Sequence, residues 1–118
     1  MKIATVVLTL TLFAALSPMA LAKPKPATKV YPVSCETLWT ATKKAVSNHY
    51  DVLSLDDKEQ AGSFTTGSIW SGIRPLAFHL EGTGKSCTVY VTGHFSGITH
   101  NDKGDLFKRI EEQLKSTR

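Results

Sequence analysis

The stretch PLAFHLEGTGKSCTVYVTGHF, residues 75–95, decides the fold. Leu76, Phe78 and Leu80 alternate with Ala77, His79 and Glu81. After four turn-forming residues, Cys87, Val89, Val91 and Phe95 alternate with Thr88, Tyr90, Thr92 and His94. Period-two alternation with one apolar side predicts an antiparallel hairpin, packed on one face and wet on the other. Placing the turn at Gly82–Lys85, where glycines accept positive φ, sets Leu80 against Cys87, Phe78 against Val89 and Leu76 against Val91. Every inward residue then meets an inward residue, and a one-residue slip destroys the match.

The same stretch contains GTGKS, which looks like the end of a phosphate-binding loop. That loop requires a glycine five positions before the second one, and a helix after it whose amides hold the phosphates. The first position is His79, and the following CTVYVTG is a strand pattern. Nucleotide binding is therefore excluded, and the motif reads as a turn.

Working outward, Ser34 is a helix N-cap with Glu36 in the first turn and Val33 and Leu38 placed as a hydrophobic staple. A helix is predicted over Cys35–Asn48, with Cys35, Leu38, Trp39, Thr42, Ala45 and Val46 as its core stripe. Strands are predicted at Asp51–Asp56, with Leu53 and Leu55 on one face, and at Gly62–Ser68, with Phe64 inward. A closing helix is predicted over Asp102–Lys115, its stripe Leu106, Phe107, Ile110 and Leu114, with Gly104 favouring a later start. The expected fold class is α+β: a two-layer sandwich of helix, four-stranded antiparallel meander and helix.

The N-terminus reads differently. Lys2, an apolar run from Ile3 to Leu16, a break at Ser17–Pro18 and the small residues of Ala20-Leu21-Ala22 form the pattern of a secretory signal peptide over residues 1–22. The run is short for a membrane span. KPKPATK (23–29) follows and is expected to be a flexible, solvated leader, three lysines being too few to claim lipid or nucleic acid as a partner. Residues 30–118 form one domain with a thin core. A periplasmic or secreted location supplies oxidising conditions, and Cys35 and Cys87 are both placed on core faces at one end of the meander, so a disulfide between them is expected.

Chemistry is sparse. His49, His79, His94 and His100 share no metal-ligand spacing, and His79 and His94 lie roughly 20 Å apart along the hairpin. No catalytic residue, metal or other cofactor is assigned. Two features are candidates for binding. Ile69, Trp70 and Ile73 fall in the connection SIWSGI (68–73), which either folds back to plug one end of the sandwich or presents an aromatic anchor to a partner. Thr65, His79, Tyr90, Thr92 and His94 mark the polar sheet face, where His79 beside Glu81 is the one acid–base pair. The expected function is a non-enzymatic binding or scaffold domain of the bacterial envelope, with an envelope protein or cell-surface component as partner. The alternative is a small exported enzyme or ligand-binding protein using the polar face around His79 and Glu81.

From Val30 to Leu114, V-Y-P-x-S, a helix carrying E-x-L-W, G-S-F-T-T-G, a hairpin and a closing amphipathic helix resemble small exported domains of bacteria. The layout is similar to the helix-grip domains of the outer-membrane assembly lipoprotein BamC. The resemblance implies a binding or scaffold role without catalysis. The chain departs from that lipoprotein in lacking a lipid-attachment cysteine.

Overall fold

The computed structural model describes residues 26–93 and 101–116. The elements are β1 (Ala27–Tyr31), α1 (Cys35–His49), β2 (Asp51–Asp56), β3 (Ala61–Ser68), β4 (Gly72–Gly82), β5 (Cys87–Gly93) and α2 (Asp102–Ser116). The strands form one antiparallel sheet in the order β1-β5-β4-β3-β2. Both helices cover one face of it. No helix among the described residues is long and apolar enough to cross a membrane.

Strands β2 to β5 are the predicted meander, and β1 is an addition to it. The sheet has five strands rather than four because residues 27–29, expected in the solvated leader, pair with β5. The alternation continues upstream of Val30: Tyr31 is buried beneath α2 and Lys29 reaches Glu111 of that helix at 2.5 Å, while Thr28 and Val30 face the other way. A single added strand also protects the otherwise open edge of β5.

Helix α1 starts as its residues dictate. The Ser34 hydroxyl accepts the Thr37 amide at 3.2 Å, and the predicted stripe is buried from Leu38 to Val46, with Ala41 added and Cys35 partly buried against the core. Helix α2 begins at Asp102 despite Gly104, because Asn101 caps it: its Oδ1 accepts the Gly104 amide at 3.1 Å. Leu106 and Ile110 are fully buried with Val46, Val89, Val91 and Phe64 in one core.

Two details differ from expectation. The β4–β5 hairpin is shifted by two residues: Leu80 faces Val89, Phe78 faces Val91, and Gly82 faces Cys87. The turn is Thr83–Ser86, closed by the Thr83 amide donating to the Ser86 carbonyl at 2.8 Å. A two-residue shift keeps every side chain on its face, so alternation cannot detect it. What selects it is the lack of room opposite Cys87, set mainly by the turn's own backbone and secondarily by the Cys35 sulfur. Cys35 and Cys87 are bonded, with Cα atoms 5.0 Å apart. A Cβ on Gly82 would stand 3.1 Å from the Cys35 sulfur and 2.3 Å from the Ser86 carbonyl oxygen. Only glycine fits opposite Cys87, and the predicted partner Leu80 does not.

The second difference is a bulge in β2 between Val52 and Ser54. The expectation sets Leu53 and Leu55 on one face. Leu55 instead pairs with Gly62 on the helix side, whereas Leu53 is the extra residue and turns to the outer face.

Candidate functional site

The β3–β4 hairpin ends in a three-residue loop, Ile69-Trp70-Ser71, closed by the pair Ser68 and Gly72. Trp70 is 96% exposed, Ile69 89% and Ile73 63%. The plug arrangement is therefore absent: the loop points away from the core. Its backbone is nonetheless fixed. The Ser68 amide donates to Ser71 Oγ at 3.0 Å, and the Ser71 amide donates to Ser68 Oγ at 3.2 Å. Gly67 and Gly72 hold φ of 98° and 89°, the left-handed region that glycine adopts without strain.

Beneath the loop, Arg74 Nη1 donates to the Gly72 carbonyl at 3.0 Å and the Ser71 carbonyl at 3.3 Å. Its other edge forks onto Asp102 at the start of α2, Nε to Oδ2 at 2.7 Å and Nη2 to Oδ1 at 3.1 Å. Both side chains are buried, and the hydrogen bonds to Asp102 raise the Arg74 pKa further above its already high value. A buried guanidinium needs this bidentate partner. The sequence reading missed both residues, although a signal existed. Arg74 has the parity of Leu76, Phe78 and Leu80, so alternation alone buries it and demands a carboxylate.

The polar face of the sheet is uncovered. In the observed register His79 faces Tyr90, not Thr88, and their rings stack at 4.7 Å, 2° from parallel. His79 Nε2 lies 3.7 Å from Glu81 Oε2, both side chains largely in solvent. Thr92 pairs with Ala77 beside them. Thr65 stands apart, opposite Pro75, roughly 13 Å further along β4 from His79. His94, the fifth residue expected on this face, lies outside the described residues, as does His100.

Small residues make the face concave. A depression of about 300 Å³ is lined by Leu53, Ser63, Pro75, Ala77 and Thr92 among others. A second, of about 320 Å³, adjoins it through Ala77 and Thr92 and is lined also by Ser54, Asp56 and His79. Both are open and shallow. Among the described residues no group of three His, Cys, Asp or Glu side chains comes together to hold an ion.

The geometry defines a two-layer α+β sandwich with a bare sheet face and a protruding apolar hairpin tip. No protein-family model and no curated protein matches the chain. Among solved structures it is similar to the protein TTHA0849 from Thermus thermophilus, at 9% identity over 79% of this chain and 97% of that one, with a TM-score of 0.44. That score is too low to bear on function.

Proposed function

We propose that the chain is an exported, non-enzymatic binding domain of the bacterial envelope, and that its contact surface is the β3–β4 tip formed by Ile69, Trp70 and Ile73. One observation carries the reading: an indole almost wholly in water on a loop whose backbone is held by Ser68, Ser71 and the buried Arg74–Asp102 pair. Exposing Trp70 gains nothing for folding, while a rigid aromatic anchor loses little entropy when a partner covers it. The Cys35–Cys87 bond and the apolar run Ile3–Leu16 support export to an oxidising compartment. The order strand, helix, four-stranded meander, helix is in keeping with the BamC-like layout and with a scaffold or binding role.

A photo-crosslinking amino acid placed at position 70 in living cells tests this. A discrete adduct with an envelope component is expected from position 70 and not from position 44, on the exposed side of α1. Equal, diffuse labelling from both positions would remove the tip as the contact surface. Trp70→Ala should leave the unfolding free energy unchanged within about 0.5 kcal/mol, since exposed positions rarely matter more.

A second reading rests on the depression lined by Ser54, Asp56, Thr92 and His79, whose ring stacks on Tyr90. It assigns the polar face to a small ligand or substrate. Loss of an activity on His79→Ala, with Trp70→Ala silent, would favour it over the first.

A further inference from the structure

We infer that the outer sheet face binds a guanidinium group, the head of an arginine side chain, in a slot above Ala61. The inference rests on the second reading, which gives this face to a ligand, and names that ligand's chemistry. Shape, charge and open hydrogen-bonding positions each restrict the guest.

The shape comes from one row of residues. Thr28, Tyr90, His79, Ala61 and Asp56 face one another in turn across the five strands. Tyr90 and His79 stack with ring centres 4.7 Å apart and planes 2° from parallel. That repeat is the spacing of neighbouring strands, about 4.7–4.9 Å. The next position in the row, Ala61, carries only a methyl group, so the imidazole face turned away from Tyr90 looks across a gap to Asp56. His79 and Asp56 stand two strands apart, roughly 9.6 Å. The gap belongs to the depression of about 320 Å³ lined by Asp56, Ala61, Gly62 and His79 among others. A flat group lying over Ala61 continues the stack at the repeat that Tyr90 and His79 already set. The compact head of an ammonium offers no such face.

Charge narrows the guest further. The outer face of the strands carries Asp51, Asp56 and Glu81 and, among the described residues, no lysine or arginine. Carboxylate and phosphate ligands meet repulsion there. Asp56 is held in place: its Oδ1 accepts the Lys58 and Glu59 amides at 3.0 and 3.1 Å, while its Oδ2 takes part in no hydrogen bond among the described residues. Glu81 Oε2 lies 3.7 Å from His79 Nε2, beside the same ring. Asp57 is spent elsewhere, on Trp39 and Lys43. The next row holds the Ser54 and Ser63 hydroxyls, 2.8 Å apart, whose remaining lone pairs accept from an N–H edge. A group that is flat, permanently cationic and edged with N–H donors is a guanidinium, and it stacks on rings by its face.

The test follows the Ala61 methyl and the His79 ring protons by NMR in the purified protein. The probes are a blocked glycine–arginine–glycine tripeptide, the same peptide with lysine or with citrulline in the middle, and free arginine. The arginine peptide should move both signals saturably in the millimolar range, as an open site implies. The lysine peptide has the charge without the plane, and citrulline the plane without the charge; each should bind about threefold more weakly or worse. Free arginine brings its own carboxylate toward Asp56 and Glu81, so it should bind more weakly than the peptide if the source is a protein chain. If it binds as well or better, the slot takes the free amino acid. Asp56→Asn keeps the oxygen that accepts the turn amides and removes the charge; it should weaken the arginine peptide about fivefold. Ala61→Leu fills the slot and should abolish the shifts, with the core methyl signals unmoved. Equal response to the arginine and lysine peptides, or no response to any guanidine probe, overturns the inference. If His79→Ala nonetheless abolishes an activity, the face remains a ligand site of another class. If it abolishes none, the second reading falls as well, and the tip is untouched by either result.

Discussion

The two hairpins of this sheet invite comparison. At one end the β4–β5 turn, Thr83–Ser86, holds glycine, lysine and hydroxyls, a composition that mimics a phosphate site. It is tied to α1 by a disulfide through the adjoining Cys87, and the Thr83 hydroxyl accepts the Lys85 and Ser86 amides within the turn. At the other end the β3–β4 loop resembles no motif, yet it carries the most exposed apolar residues described, Trp70 and Ile69, and is tied to α2 by a buried ion pair. Each hairpin is pinned to a different helix by a different bond. The difference teaches that a motif's letters are weaker evidence than the side chains the fold declines to bury.

The largest expected effect breaks the first of those ties. The Cys35–Cys87 bond closes 52 residues of chain, for which the chain-entropy model gives about 4 kcal/mol. Cys35→Ala/Cys87→Ala, or reduction, should lower urea stability by about that amount. The whole core should respond, since both cysteines belong to it or pack on it. A loss below about 1 kcal/mol would mean that the unfolded chain is already compact, and the thin-core argument would fail.

Next comes the second tie. Asp102→Asn leaves the Arg74 guanidinium without its countercharge and should lower urea stability, by less than loss of the disulfide and by more than loss of an exposed surface pair. Arg74→Met/Asp102→Leu removes both charges and should recover most of it. Hydrogen exchange sharpens the comparison: the Ser68 and Ser71 amides should exchange faster in Asp102→Asn and stay slow in the urea-stable fraction of the reduced protein. The reverse pattern would show that the disulfide, not the ion pair, holds the loop.

Much of this is legible in the sequence. Alternation from Leu76 to Val91 places Phe78, Val89 and Val91 in the core, and the parity of Cys87 with the helix stripe of Cys35 pairs the cysteines. The illegible parts share one cause: their determinants are not local. Period-two patterning carries face but not register, so the shift that puts His79 against Tyr90 is invisible to it. A bulge breaks the period, so alternation assigns Leu53 with Leu55. Lys29 looks like part of a charged leader because its partner Glu111 is 82 residues away. The apolar tip residues are recognisable as a surface question, but only geometry distinguishes a plug from a presented anchor.

The smallest effect concerns the added strand. Glu111 accepts hydrogen bonds from Lys29 at 2.5 Å and from the Tyr31 hydroxyl at 3.0 Å. The Lys29 bond, more than the Tyr31 bond, holds its carboxyl below the ordinary carboxylate value. A carboxyl depressed on folding contributes stability above its unfolded pKa, near 4.3, and loses it as pH falls through the lower folded value. Because Lys29 and Glu111 are both well exposed, solvent screening limits the contribution to a few tenths of a kcal/mol. Comparing Glu111→Gln with wild type should show a small deficit at pH 7 that closes below about pH 4. Local exchange at Thr28 and Val30 should rise in the variant, while the hairpin tip stays unchanged. A deficit that persisted undiminished in acid would not come from the carboxylate's charge, and the strand would then be held by backbone pairing to β5 with the ion pair as a surface contact only.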